Sequence, residues 1–247
     1  MSRSDGRTTD ELRPLELTMG CNAWAEGSCL IQLGNTRVMV TATVEDKVPP
    51  FMRGQGQGWI TAEYGMLPRA TQERTIREAA RGRQQGRTVE IQRLIGRSLR
   101  AAVNAKALGE RSILIDCDVL QADGGTRTAS ITAGFLALLQ ALSRLQQRVK
   151  FSAPPIHDRL AAVSLGIQQR EVWLDLNYIE DSRIGVDVNV VMLGHHQLVE
   201  IQGTAEHGSF DRVQLNRLLD AAELGIDRLI AAGRAAFPQG DDLIATP

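Results

Sequence analysis

The chain of 247 residues has 43% hydrophobic and 23% charged side chains, the composition of a folded globular protein. Its 28 Lys and Arg against 29 Asp and Glu give a net charge of -1, which excludes a uniformly basic nucleic-acid-binding protein and an acidic disordered chain. The three cysteines form no CxxC motif, the charged first residues resemble no signal peptide, and no apolar stretch is long enough to cross a bilayer. We therefore expect a cytoplasmic protein that has reduced thiols and binds no membrane.

The charge is distributed unevenly along the chain. Residues 1–110 carry 16 basic and 12 acidic side chains, a net charge of +4, whereas residues 111–247 have a net charge of -5. The basic excess lies in segment 69–87, where six arginines accompany two glutamates. Arginine, which makes bidentate contacts with phosphate, accounts for 25 of the 28 basic residues. A genome-wide arginine bias explains the total equally well, but the clustering favours a functional role.

The first half alternates between strand and helix patterns. Runs rich in β-branched residues predict strands, with Gly34-Asn35 as a two-residue hairpin turn, and an apolar period of 3.6 residues predicts helices. In chain order we predict strands over Leu15–Met19, Ser28–Leu33 and Thr36–Val44, an irregular connection over Lys47–Arg87, a helix over Thr88–Ala107, a strand over Ser112–Leu120 and a helix from Ser130 to Gln147.

The second half repeats this order after a break at Ser152–Pro155, and we treat residues 1–247 as a single domain with an internal pseudo-repeat. The same patterns predict strands over Leu160–Ile167, Val172–Leu176, Gly185–Met192 and Leu198–Ile201, a helix over Asp211–Ala232 and a frayed tail over 238–247. Each half is thus a β-meander followed by a long helix. This predicts an α+β (mixed α/β) fold with helices packed on mixed or antiparallel sheets.

A glycine turn between a strand and a helix is the strongest local signal for chemistry. In Asp123–Ser130 the two glycines let backbone amides approach a ligand, and the following helix N-terminus supplies unpaired N–H groups and a positive dipole end. Thr126 adds a hydroxyl and Arg127 a cation with a fork of donors, which together predict a phosphate site. The alternative is a plain glycine turn with Thr126 as a helix cap.

An acidic pair is the second signal. Asp181 closes one predicted strand and Asp187 lies early in the next, so a tight reversal would bring the two carboxylates together. A divalent cation compensates for such like charges, and oxygen ligands suit Mg²⁺. A simple polar turn explains the same residues equally well. No metalloprotease helix motif and no nucleophile elbow is present, so the chemistry is expected to use phosphate and metal.

Several motifs together closely resemble the ribonuclease PH family. They are DGRTTDELRPL, GSCLIQLGNTRVMVTATVE, AEYGMLPRAT, RTVEIQRLIGRSLRA, LIDCDVLQADGGTRTASITAGF and LDLNYIEDSRIGVDVNVVM, in family order from about Arg3 to beyond Ala232. The resemblance implies the ribonuclease PH-type core, which is similar to domain 2 of ribosomal protein S5. It also implies a phosphorolytic 3′→5′ exoribonuclease that trims tRNA precursors beyond their CCA end.

The resemblance also implies roles for individual residues. A phosphate-binding set falls on Arg87, Gly125, Thr126 and Arg127; a catalytic, metal-holding pair on Asp181 and Asp187; and a loop that binds tRNA and assists assembly on Arg69, Arg74 and Arg77.

The implied partners are tRNA precursors and other RNA 3′ ends, with inorganic phosphate as co-substrate, nucleoside 5′-diphosphates as products and Mg²⁺ as cofactor. Processing of rRNA is a further implied role, and the implied assembly is a homo-hexamer built as a trimer of dimers. Two rival functions remain open at this point. One is a hydrolytic metal nuclease that uses the same acidic pair, and the other is a non-catalytic RNA-binding ring subunit.

Overall fold

The structure, a computed structural model, describes residues 3, 5–206 and 208–245. Within these residues the chain forms two β-sheets with helices between and outside them. The strands are β1 (Leu15–Met19), β2 (Gly27–Leu33), β3 (Thr36–Glu45), β4 (Trp59–Met66), β5 (Ser112–Gln121), β6 (Leu160–Gln168), β7 (Glu171–Leu174), β8 (Val186–Leu193) and β9 (Leu198–Ala205). The α-helices are α1 (Glu78–Arg81), α2 (Gly86–Ala102), α3 (Ala105–Leu108), α4 (Thr126–Gln146), α5 (Tyr178–Asp181) and α6 (Arg212–Ala236).

The first sheet has the strand order β1-β2-β3-β5-β4. The predicted turn at Gly34-Asn35 joins β2 to β3 as an antiparallel hairpin, and β5 pairs antiparallel with β3. The edge strand β4 instead runs parallel to β5, in register from Trp59 opposite Ser112. The prediction of an irregular connection over Lys47–Arg87 was wrong here, because β4 lies inside it. Its alternating pattern is short and is flanked by glycine-rich and arginine-rich loops, and pairing with a distant strand stabilises it.

The second sheet has the strand order β7-β6-β8-β9, with every pair antiparallel. The turn between β6 and β7 places Gln169 and Arg170 at positive φ, as a tight hairpin requires. Strand β8 lies inside the sheet and is largely buried. Both sheets therefore match the predicted mixed and antiparallel arrangement, and the α+β fold class is confirmed.

Helix α4 packs between the two sheets, against β2 and β3 on one side and β6 on the other. It is long and apolar enough to cross a membrane by composition, but 83% of that apolar stretch is buried inside the fold, so core packing accounts for its composition. Helix α2 covers β4, and α6 covers the second sheet. The N-terminus of α4 consequently opens at the junction of the two sheets.

Three boundary predictions were wrong for local physical reasons. The predicted helix 88–107 breaks at Val103, which pairs with Ile156, and Asn104 then caps the short α3. Helix α4 begins at Thr126 rather than at Ser130, because the glycine turn itself starts the helix. Asp181 ends the helical turn α5 rather than a strand, since Asn177 and Glu180 form a capping box that favours helix over strand.

The C-terminal tail was predicted to be frayed, and this was wrong for its described part. Pro238–Leu243 form a 3₁₀ helix, and Leu243 is 1% exposed. Ile244 then pairs with Ile156 in an isolated bridge. Residues 246 and 247 of the predicted tail lie outside the described residues. Apolar contacts with the core thus hold most of this segment in place.

Candidate active site

A cavity of about 630 Å³ opens where the N-terminus of α4 meets the second sheet. It brings together the two sets of residues that the sequence singled out, although they lie on five separate elements or turns. The predicted residues that line it are Arg87, Gly125, Thr126, Arg127, Asp181 and Asp187. The structure therefore brings the glycine turn and the acidic pair to the same cavity.

The glycine turn has a backbone that few other residues adopt. Gly124 and Gly125 have φ values of +77° and +64°, in the left-handed region that favours glycine. A Cβ on Gly124 would lie 2.5 Å from the Leu176 carbonyl oxygen, so the turn packs tightly against the segment that leads into α5. Gly125 is the N-cap of α4, and unpaired amides at the start of this 21-residue helix form an anion-binding end.

Two side chains complete this anion-binding end. The Thr126 hydroxyl is 2.9 Å from the Tyr64 hydroxyl in a buried hydrogen bond, which fixes its direction. Arg127 Nη1 donates to Gln202 Oε1 at 2.8 Å and lies 3.5 Å from Glu90 Oε1. Among the described residues the Arg127 guanidinium is thus held through Nη1 alone, which leaves its other N–H groups for a ligand.

Arg87 lies in the first turn of α2, and its side chain lines the same cavity. Its guanidinium makes no hydrogen bond or ion pair with any side chain that the structure describes. A cation without a carboxylate partner at the edge of a cavity favours an anionic ligand. Arg87 and Arg127 therefore offer two positive groups beside the N-terminus of α4.

Asp181 and Asp187 form the acidic side of the cavity. Burial raises the pKa of Asp181 above its ordinary value, although the positive charges of Arg87, Arg127 and Arg13 oppose this. Burial, and secondly the Asp181 carboxylate, raises the pKa of Asp187 to about 6. A carboxylate that is both desolvated and next to another carboxylate is typical of a functional site.

The acidic pair fits a hard divalent cation. Oδ1 of Asp187 is buried without a hydrogen-bond partner among the described residues, and a cation or its water would satisfy it. Among the same residues no group of three or more His, Cys, Asp or Glu side chains is placed to form a metal cage. Mg²⁺ usually takes one or two carboxylates together with substrate phosphate oxygens and water, which matches two aspartates beside a phosphate site.

The predicted RNA-binding arginines lie outside the cavity. Arg69, Arg74 and Arg77 are exposed, and none makes a side-chain hydrogen bond or ion pair within the described part of the chain. Their loop borders the cavity through Thr71, Gln72 and Glu73. The structure thus places a basic surface at the rim of the site rather than in contact with the acidic pair.

The aromatic side chains near the basic loop are candidates for base stacking, but most are buried or already pack against other side chains. Tyr64 is buried, and Trp59 is covered by the Arg100 guanidinium at 4.4 Å and by the Phe51 edge at 5.2 Å. Tyr178, which sequence reasoning missed, instead lines the cavity and is 58% exposed. Its position three residues before Asp181 was the one signal that pointed to it.

Three further polar groups near the cavity were not among the predicted site residues. Ser164 on β6 and Asn189 on β8 are register partners, and both line the cavity beside Asp187. Asp187 and Asn189 are two residues apart on one strand, so their side chains share a face. Arg13 contacts the glycine turn from behind. Only this alternation in β8 was visible in the sequence, because the other contacts join distant segments.

Two family models match this chain. The model for domain 1 of the 3′ exoribonuclease family matches residues 11–143, and the model for domain 2 matches residues 158–225. Ribonuclease PH of Bacillus cereus is 57% identical over 236 residues, covering 95% of this chain and 96% of that protein. Ribonuclease PH of Bacillus anthracis has the same identity and coverage.

Solved structures share the fold at lower identity. The Archaeoglobus fulgidus exosome with RNA bound to the active site matches with a TM-score of 0.78 and 23% identity, over 94% of this chain and 92% of that one. Rice Rrp46 matches with a TM-score of 0.71 and 18% identity, over 97% of both chains. Both domain models match, and the chain shares more than half of its residues with the two Bacillus proteins over nearly the full length. The chain therefore belongs to the ribonuclease PH family of phosphate-dependent 3′→5′ exoribonucleases.

Proposed function

We propose that this chain shortens the 3′ ends of tRNA precursors by phosphorolysis, and that the cavity at the N-terminus of α4 performs the reaction. One observation carries the assignment of the site: an anion-binding helix end with two arginines and a desolvated acidic pair line the same cavity. A hydrolytic nuclease uses water and needs no second phosphate pocket. The N-terminus of α4 and the pair Arg87 and Arg127 are two anion-binding elements, and their presence favours phosphorolysis at this site.

Arg87 and Arg127 orient the attacking phosphate. In the reaction an oxygen of inorganic phosphate bonds to the phosphorus of the last phosphodiester, the bond to the 3′ oxygen breaks, and a nucleoside 5′-diphosphate leaves. Two anions must approach each other, so the reaction requires charge neutralisation and alignment. The two guanidinium groups and the first amides of α4 supply both without a nucleophilic side chain.

Asp181 and Asp187 are proposed to hold Mg²⁺ at the scissile bond. When bound, the ion stabilises negative charge on the reacting oxygens. The chain contributes a pair of half-buried carboxylates, and Oδ1 of Asp187 is buried without a hydrogen-bond partner among the described residues. The departing 3′ oxygen must also gain a proton, and an Asp181 carboxyl without a metal bond is placed to supply it. These two roles of Asp181 lead to different measurable outcomes.

The RNA end is proposed to enter past the basic loop. The arginines of segment 69–87 are exposed and unpaired within the described residues, as expected for side chains that bind phosphates of a folded RNA. Tyr178 offers an exposed ring inside the cavity for the terminal base. Stacking tolerates every base, so this arrangement suits the removal of any terminal nucleotide.

We further propose that the chain assembles into a homo-hexamer, a trimer of dimers. Strand β9 is an edge of the second sheet and exposes Leu198 and Ile201, at 49% and 40%. An edge strand with exposed apolar side chains is a candidate contact surface for another copy. Sedimentation velocity over a range of protein concentrations tests the assembly, and a persistent monomer would contradict it.

The activity is tested with a tRNA precursor that carries a 3′ extension. The RNA is incubated with enzyme and Mg²⁺, with and without phosphate, and the released nucleotides are separated by chromatography. We expect nucleoside diphosphates only when phosphate is present, and none from the Asp187→Asn variant. Monophosphates released without phosphate would indicate hydrolysis, and the absence of any product would indicate a non-catalytic RNA-binding subunit.

A further inference from the structure

A buried ion pair lies behind the active site. Arg13 precedes β1 and Asp175 follows β7, so the pair joins the two sheets. Arg13 Nη2 donates to Asp175 Oδ1 at 2.7 Å and Nε donates to Oδ2 at 3.0 Å, and each side chain is 3% exposed. Neither residue lines the cavity. Because desolvation offsets most of the attraction in a buried pair, net stabilisation alone is a weak explanation for it.

Arg13 also contacts the glycine turn. Its Nη1 donates to the Asp123 carbonyl and its Nη2 to the Gly124 carbonyl at 3.4 Å. The buried Thr36 hydroxyl donates to the same Gly124 carbonyl at 2.7 Å and accepts the Asp123 N–H at 3.0 Å. The side chains of Arg13, just before β1, and of Thr36, at the start of β3, thus hold consecutive peptide groups of one turn.

These contacts determine where the N–H groups of the turn point. A peptide group is planar and trans, so its N–H points away from its carbonyl. With the carbonyls of Asp123 and Gly124 fixed towards Arg13 and Thr36, the N–H groups of Gly124 and Gly125 point to the opposite side of the turn. The turn is where the proposed phosphate site begins.

The hydrogen bonds around Arg13 and Asp175 extend to the acidic side of the cavity. The Asp175 carbonyl accepts a hydrogen bond from Arg3 Nη2 at 2.8 Å, and Arg3 pairs with Glu180 at 2.7 Å. Glu180 belongs to the capping box of α5, the turn that ends at Asp181. Asp175 itself has a φ of +55°, an uncommon backbone state for an aspartate. A continuous chain of buried contacts therefore links the phosphate turn to Asp181.

We propose that Arg13, held by Asp175 and assisted by Thr36, is a positioning residue that fixes the phosphate-binding turn relative to α5. Arg13 does not line the cavity, and it acts through the backbone of Asp123 and Gly124. Loss of this constraint lets the amides at the start of α4 turn away from the cavity. The consequence is weaker use of phosphate with unchanged RNA binding. The inference rests on the proposed phosphate site.

Variants of Thr36 provide the main test in the full-length enzyme. Thr36→Val keeps the shape and removes the hydroxyl, whereas Thr36→Ser keeps the hydroxyl. For Thr36→Val we expect the KM for phosphate to rise about tenfold, with the KM for RNA within about twofold of wild type. The stabilisation of the fold by added phosphate, measured as a Tm shift, is expected to shrink in parallel. Thr36→Ser should restore both quantities.

Thr132→Val is the matched control. Thr132 is also a buried threonine whose hydroxyl bridges the two halves, from α4 to the Ala162 backbone, but it lies further along the helix than the turn. It should lower Tm by a similar amount and leave the KM for phosphate unchanged. If Thr36→Val and Thr132→Val lower Tm alike and neither changes the use of phosphate, the network is structural only and the proposal is wrong.

Arg13→Lys and Arg127→Gln complete the test. A lysine keeps a cation opposite Asp175 but lacks the fork that also reaches the turn, so Arg13→Lys should raise the KM for phosphate as Thr36→Val does. If Arg13→Lys does not fold, the Thr36 variants decide. Arg127→Gln separates the two hypotheses: an unchanged KM for phosphate in Arg127→Gln refutes the phosphate site, whereas a raised one with unaffected Thr36→Val refutes only the positioning role.

Discussion

Replacement of Asp187 by asparagine is expected to stabilise the metal-free fold while abolishing its activity. Burial and the neighbouring Asp181 carboxylate raise the pKa of Asp187 from 3.8 to about 6, and Oδ1 has no hydrogen-bond partner within the described residues. The folded state therefore binds this proton more tightly than the unfolded chain does. As pH rises from about 4 through 6, the carboxyl ionises inside the fold and stability is lost.

The difference between the pKa of Asp187 in the folded and in the unfolded state sets the size of this stability loss. About two pKa units correspond to about 3 kcal/mol of unfolding free energy, as an upper limit, once pH is well above 6. Asparagine has nearly the same shape and carries no charge, so the Asp187→Asn variant does not lose stability as the pH rises. The stability gain of the variant should thus be largest near pH 7.5, fall to about half by pH 5 and vanish below about pH 4.

The difference in unfolding free energy between Asp187→Asn and wild type is measured by urea unfolding in EDTA at a fixed protein concentration. Unfolding is followed by fluorescence at several pH values. Exposed Asp220 on α6 provides the control, because Asp220→Asn should change stability by less than about 0.5 kcal/mol at every pH. Added Mg²⁺ should raise the stability of the wild type and not that of Asp187→Asn. A variant that is less stable than wild type at pH 7.5, or a gain that is independent of pH, would refute the reasoning.

Three further predictions concern substrate binding and the second aspartate. Neutralising Arg69, Arg74 and Arg77 together should weaken binding of tRNA precursors more than turnover of a short oligonucleotide, in gel-shift and steady-state assays, since the loop lies outside the cavity; equal losses would contradict this. Tyr178→Ala should raise the KM for RNA about tenfold by removing a stacking surface and leave the KM for phosphate unchanged, whereas Tyr178→Phe should behave as wild type. If Asp181 is a metal ligand, Asp181→Asn weakens Mg²⁺ binding in calorimetry; if it is a general acid, Mg²⁺ affinity is unchanged and the alkaline limb of the pH–rate profile is lost.

The elements that were predicted well are those with a strong local pattern. Alternation predicted the bounds of β1, and Gly34-Asn35 located the hairpin between β2 and β3. The glycine turn before α4 was recognised because two glycines, a threonine and an arginine follow one another directly along the chain. A turn or binding site that is formed by consecutive residues can therefore be predicted from the sequence alone.

The elements that were missed depend on contacts between distant segments. Strand β4 is formed by parallel pairing with β5, some fifty residues later, and the Arg13–Asp175 pair spans 162 positions. The proximity of Asp181 and Asp187 was predicted from a hairpin, but α5 and β8 bring them to the same cavity by another route. The expected proximity of the two carboxylates thus rested on a wrong local structure.

Two buried polar atoms that lack hydrogen-bond partners among the described residues belong to side chains of the candidate active site. Interior polar atoms are normally paired, yet Asp187 Oδ1 and the Ser164 hydroxyl are both buried without partners among the described residues, and both residues line the cavity. A bound phosphate or cation would supply the missing partners, so we expect these two groups to destabilise the fold while the cavity is empty and to stabilise it once a ligand is bound. Binding should therefore stabilise the junction between the two sheets more than either sheet alone. Hydrogen exchange at the amides of α5 and of the glycine turn should slow on addition of phosphate and Mg²⁺, while exchange in the interior of β3 should stay unchanged.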